Sequence, residues 1–188
     1  MILPIVAYGD PILRKKSEEI DEDYPDLQQL IEDMFETMER AKGVGLAAPQ
    51  IGKSIRLFIV DSHRMTEGEE QTPNPEGIRE VFINPKIIDE TGSEWVYEEG
   101  CLSLPGIREN ITRLDTITIQ YYNRNFEFQE STFHKLTARV VQHEFDHIEG
   151  KLFIDHLKPL KRTLLKGKLE NISKGKVQVE YKMRFAKK

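Results

Sequence analysis

The stretch Val140-Val141-Gln142-His143-Glu144-Phe145-Asp146-His147 limits the possible folds of this chain more than any other segment. One helical turn brings residues i and i+4 onto one face, so on a helix His143 and His147 can reach a single metal ion. Glu144 then stands beside the remaining position, the arrangement of a metal-bound water with its own base. Two imidazoles do not complete such a site. A catalytic zinc-type centre takes three protein ligands and keeps one position open. The fold must therefore hold this helix against a body that delivers a third ligand from elsewhere in the chain.

Cys101 is the only cysteine, so no internal disulfide can form, which suits a reducing compartment. It lies in Glu98-Glu99-Gly100-Cys101-Leu102-Ser103-Leu104-Pro105-Gly106, which reads as a turn. Lone cysteines are more often inert core residues. A thiolate is nevertheless a strong ligand for zinc or ferrous iron, and the two-histidine motif lacks one, so the ligand reading is preferred. The extended pattern HExxHxxGxxH matches through Gly150 and fails at Phe153. A glutamate ligand further downstream would be Glu170 or Glu180, both in a basic segment without a supporting motif. A zinc peptidase using this helix without Cys101 is thus the alternative enzyme. An RNA-binding protein with a structural metal is a different class of reading, although structural zinc normally takes four protein ligands and three are evident here.

The chain has 188 residues, 38% hydrophobic and 31% charged, which suits one domain over 1–188 with a sizeable core. No apolar run is long enough to span a bilayer, and Pro4, Asp10 and Pro11 break any signal-peptide pattern, so the expected location is the cytoplasm. Helical spacing over 25–41, opened by Pro25, predicts an amphipathic helix. Strands are expected at Ile55–Asp61, Val81–Ile88 and Ser93–Tyr97, with a hairpin of Thr116–Tyr122 and Phe126–Phe133 around Asn123-Arg124-Asn125. Residues 62–80 read as a mobile surface loop. The motif helix should run from Thr137 to His147 and stop at Gly150, followed by a helix over Leu160–Ile172 and a strand over Val177–Phe185. The fold class that follows is α+β: antiparallel β-sheets packed around a central helix carrying the HEFDH motif, with a C-terminal helix and strand. Residues 157–188 hold eleven Lys or Arg against two Glu, within a chain of net charge -5. That basic end could meet an acidic partner such as ribosomal RNA, or be no more than a solvated face.

Three segments, GVGLAAPQ (43–50), EGCLSLPG (99–106) and QHEFDH (142–147), together resemble the signature segments of peptide deformylase, in the same order. The resemblance implies that Cys101, His143 and His147 bind one divalent metal ion, ferrous iron or zinc. Glu144 would act as general base and then general acid. Gln50 and the Leu102 N–H would stabilise the oxyanion. The implied substrate is a nascent polypeptide beginning with N-formylmethionine, and formate is released. By similarity Gly45 touches the substrate backbone, Val44, Tyr97, Leu136 and Val140 line a methionine pocket, and Arg108 reaches further along the substrate. Glu99 and Arg113 match a buried pair steadying the cysteine loop. Arg139 replaces an apolar residue of some relatives and is expected to leave the pocket mouth polar. Asp146 receives no role, and His63, His134 and His156 read as surface or structural.

Overall fold

The computed structural model describes residues 1–67, 72–74 and 76–186. Its centre is a five-stranded antiparallel sheet of order β2-β3-β6-β7-β8, built from β2 Gly45–Ala47, β3 Leu57–Asp61, β6 Arg79–Cys101, β7 Leu104–Tyr122 and β8 Phe128–His134. The run Leu57-Phe58-Ile59-Val60 is apolar at every position because both faces of the sheet are covered. Leu57 and Ile59 pack with helix α1 (Leu27–Arg40), whereas Phe58 and Val60 pack with helix α2 (Lys135–Ile148). Phe58 stacks on Phe82 at 4.7 Å between ring centroids, and both are fully buried. The fold is α+β, as expected, with one large bent sheet and two short two-stranded ones.

The bend resides in the β6–β7 hairpin. Val81–Ile88 and Ser93–Tyr97 belong to the single 23-residue strand β6 rather than to two strands. Register shifts near Ile83, Ile87 and Thr91 turn the ribbon without ending its pairing, as β-bulges do. Asp-Glu-Thr-Gly at 89–92 therefore looks like a turn in sequence while acting as a bulge in space. A last shift at Gly100/Cys101 brings β6 to its end at the cysteine.

α2 lies against the sheet and is buried over most of its circumference. It ends at Ile148, and Gly150 follows at φ +73, where an added Cβ would sit 2.6 Å from the Arg14 carbonyl oxygen. Only glycine fits both demands. α1 begins at Leu27, two residues later than Pro25 suggests, because Asp26 takes a left-handed conformation. The hairpin around Asn123 forms as expected, its second strand running Phe128–His134.

α3 spans Pro159–Ser173 and covers a third apolar cluster with Leu165, Leu169 and Ile172. The expected strand over Val177–Phe185 contracts to β9 (Met183–Arg184), paired in parallel with β1 (Ile5–Val6). Within the expected loop 62–80, residues 68–71 and 75 lie outside the described residues. A short 3₁₀ turn at Ser62–Arg64 and a small antiparallel ribbon of β4 (Thr66–Glu67) and β5 (Thr72–Pro73) are present there. Among the described residues no helix is long and apolar enough to cross a membrane.

Candidate active site

α2 presents His143 and His147 one turn apart, with ring centroids 5.1 Å from each other. The end of β6 brings Cys101 to them, its Sγ 3.3 Å from His147 Nε2. One ligand atom from each of the three residues lies within 4.8 Å of the other two. Glu99, two residues before the cysteine, accepts from His143 Nδ1 through Oε2 at 2.8 Å, leaving Nε2 of that ring for an ion. The same carboxylate accepts from Arg113 Nε (2.7 Å) and Nη2 (3.1 Å) and from Arg139 Nη1 (3.0 Å).

The charges follow from these partners. Burial alone would raise the Glu99 carboxyl, but hydrogen bonds from His143 and Arg113 outweigh it and hold the group well below the usual carboxylate range. Burial would likewise lower His143, yet its hydrogen bonds to Cys101 and Glu99 take it well above the ordinary imidazole value. His147 has no partner on its buried Nδ1 among the described residues. Burial, followed by the charge of His143, pushes it down to about 3, so its ring is neutral, the form that binds a metal. Burial pushes the Glu144 carboxyl up to about 7, and its Oε2 is buried without a partner among the described residues. A soft thiol, two imidazoles and an unpartnered carboxylate suit a divalent transition-metal ion with one position left open.

These groups meet a cavity of about 650 Å³ that contains Cys101, His143, Glu144 and Gln50. A larger cavity of about 830 Å³ on the other side of α2 lacks the thiol. Gln50 is buried in a 3₁₀ turn, Ala48–Ile51, where its Oε1 accepts from the Ala47 N–H at 2.9 Å. That bond directs Nε2 to Cys101 Sγ (3.4 Å) and Ser103 Oγ (3.2 Å). Leu102 forms the turn between β6 and β7. Gly45 approaches α2 so closely that an added Cβ would lie 2.7 Å from Glu144 Cγ and Cδ.

Val44, Tyr97 and Val140 line the cavity with Gly45 and Arg108. Arg108 lies over Gly100 and is tied to Glu98 at 2.7 Å. Leu136 departs from the expectation: it is outside the cavity lining and buried in the core against the sheet. Arg139 does line the cavity, but its charge is engaged. It is 2% exposed, its guanidinium lies 4.6 Å from the Trp95 ring, and it donates to the Trp95 and Ile111 carbonyls, so no free charge stands at the mouth. Its position four residues before His143, on the same helix face, was the available signal. Asp146 is not idle: its Oδ2 accepts from Arg113 Nη1 (2.9 Å) and His156 Nε2 (2.8 Å). His63 and His134 lie elsewhere, beside Asp61 and Thr116. Tyr181 also lines the cavity and donates to the Leu102 carbonyl at 2.8 Å; burial, with the charge of Cys101, pushes its hydroxyl up to about 12. No local pattern in the sequence announces that contact.

Fold and site together define an α+β enzyme of the hydrolase class, with a candidate metal cluster and a carboxylate on one helix. A family model described as polypeptide deformylase matches residues 2–163. Peptide deformylase of Christiangramia forsetii is 55% identical over 98% of this chain and 96% of its own length, and that of Cytophaga hutchinsonii is 50% identical over 98% of each. The crystal structure of a peptide deformylase from Legionella pneumophila superposes with a TM-score of 0.79 at 39% identity, covering 94% of this chain and 98% of that one. The chain belongs to the polypeptide deformylase family.

The close approach at Gly45 makes a direct prediction. Gly45→Ala is expected to displace the Glu144 side chain and lower the melting temperature, because the added Cβ would lie 2.7 Å from Glu144 Cγ and Cδ. A crystal structure of the variant with Glu144 unmoved, and an unchanged melting temperature, would contradict the packing described.

Proposed function

We propose that this chain removes the formyl group from the N-terminal formylmethionine of nascent polypeptides in the cytoplasm, releasing formate and a free amine. The observation that carries the reading is the buried Glu144 carboxylate, without a partner on Oε2 among the described residues, sharing one cavity with Cys101 and His143. Cys101, His143 and His147 would hold one divalent cation, ferrous iron as the native ion with zinc as a substitute. When bound, the ion supplies Lewis acidity that eases deprotonation of water and polarises the formyl carbonyl.

The remaining work falls to the chain. Glu144 takes a proton from the attacking water, whose oxygen bonds to the formyl carbon. The C–N bond then breaks, its electron pair stays on nitrogen, and Glu144 returns the proton there. A carboxyl that burial brings towards neutrality suits both directions of transfer, and a bound cation would draw it back towards the ionised form. Gln50 Nε2 and the Leu102 N–H donate to the oxygen that gains charge, fixed before the reaction begins. Glu99 and Arg113, joined by Arg139, keep the His143 ring in its ligating orientation.

Substrate recognition uses the same cavity. Val44, Tyr97 and Val140 offer an apolar recess to the methionine side chain. β2 is the outermost strand of its sheet, so the Gly45 backbone can take an extended substrate as a further strand. Arg108 is available to the residues beyond the first. A peptidase without Cys101 has less support, because the thiol and the imidazoles converge on one point.

The basic C-terminal segment is proposed to dock on the ribosome, from which the substrate emerges. Lys158, just before α3, and Arg162 and Lys166 on it are exposed near Leu160 and Leu164, which are 73% and 71% exposed.

Formate release from an N-formyl-Met peptide, with metal content measured, tests the chemistry. Glu144→Ala is expected to keep its metal and lose about a hundredfold or more in kcat. A metal-loaded variant with nearly full activity would refute the proton-transfer role. For docking, Arg162→Glu with Lys166→Glu is expected to reduce co-sedimentation with ribosomes at low salt while formate release from the free peptide is unchanged. Undiminished co-sedimentation would leave the basic segment as a solvated face.

A further inference from the structure

The two ends of the chain meet at the cysteine turn. β1 and β9 pair through Ile5 N–H to the Lys182 carbonyl and Ala7 N–H to the Arg184 carbonyl, both 2.8 Å. Tyr8, two residues after β1, and Tyr181, two residues before β9, each reach a neighbouring carbonyl of the turn that joins β6 to β7. Tyr8 N–H donates to the Ser103 carbonyl at 2.9 Å, and the Tyr181 hydroxyl donates to the Leu102 carbonyl at 2.8 Å. Gln178, Val179, Glu180 and Tyr181 line the cavity that holds Cys101, Gln50 and Glu144. This tail lies beyond residue 163, where the match to the family model ends.

We infer that Tyr181 is a positioning residue for the Leu102 N–H, and that the tail carrying it is a working wall of the active site. The inference rests on the reading of Leu102 as an oxyanion donor. The peptide planes on either side of the Leu102 Cα are joined through only two soft dihedrals. Fixing the carbonyl plane on one side therefore narrows the directions open to the N–H plane on the other. The rest of the turn is held as well: Gln50 donates to Ser103 Oγ, Cys101 pairs with Leu104, and the Leu102 side chain packs on the α1 cluster. The Leu102 carbonyl is the link that the main body of the chain leaves to the tail. A donor aimed before charge develops costs nothing to reorganise during the reaction, so a loosened turn loses rate rather than affinity.

Anchorage of the tail supports a fixed position. Met183 and Phe185 pack into the third apolar cluster beside Tyr8 and Cys101. Arg184 lies against Gly52 and 3.6 Å from Asp10, and Glu180 reaches Lys42 across the cavity at 3.1 Å.

Tyr181→Phe removes the hydroxyl and keeps the ring, so the tail remains packed. In the full-length metal-loaded protein, kcat for formate release is expected to fall about five- to tenfold with KM and metal content unchanged. Hydrogen exchange at the Leu102 amide is expected to quicken, a readout independent of turnover. Gln50→Ala serves as the direct-donor comparison, with a larger loss of about a hundredfold. An unchanged kcat in Tyr181→Phe would overturn the inference, as would a raised KM with kcat intact, which would make the tail a substrate wall alone. Absence of formate release from metal-loaded wild-type protein would instead remove the oxyanion reading itself, and the role of Tyr181 with it.

Discussion

A carboxylate buried as deeply as Glu99 is tolerable only when its lone pairs are taken up by cationic donors. Arg113 comes from β7, Arg139 and His143 come from successive turns of α2, and all three meet on this one group from β6. The network therefore does more than balance charge. It fastens the helix to the hairpin at the level of Cys101, His143 and His147. Removing one partner of such a pair typically costs about 3–5 kcal/mol, because the other charge stays buried.

Strand β6 carries both Glu99 and Cys101, two positions apart, so one segment orients the first imidazole and delivers the thiol. Any shift of the strand along the helix would spoil both contacts together. The Asp146 carboxylate adds a second hold on Arg113 and passes it outward to His156, whose side chain is about one-third exposed. Charge thus runs from the surface to His143 through groups that are each hydrogen-bonded. Opposite this network, the small residues of β2 let the sheet edge come against Glu144, which explains why the glycine segment and the histidine helix belong to one site.

Local signals were legible and distant ones were not. The i,i+4 imidazoles, the alternating apolar runs and the glycine after α2 state their geometry within a few residues, so the helices and most strands lie close to their expected positions. Asp89 to Gly92 misled because a bulge and a turn use the same residue types. The partners of Arg139 and Tyr181, and the Arg113 that Asp146 accepts from, are 28 to 79 residues away in the chain and carry no local pattern. The family resemblance assigns Leu136 to the pocket, yet its side chain lies in the core against the sheet. The strand near the C-terminus was overextended because alternation over Val177–Phe185 is satisfied by a coil that packs alternate side chains.

The central claim is that Glu99 holds His143 so that Cys101, His143 and His147 bind one divalent ion. Its most direct test is a cobalt(II) titration of metal-free protein, followed by the thiolate-to-cobalt absorption band, in wild type and in folded Glu99→Gln. One ion per chain, an intense thiolate band, and an affinity about 10- to 100-fold weaker in the variant are predicted. Cobalt bound without a thiolate band, or with equal affinity in both proteins, would contradict it.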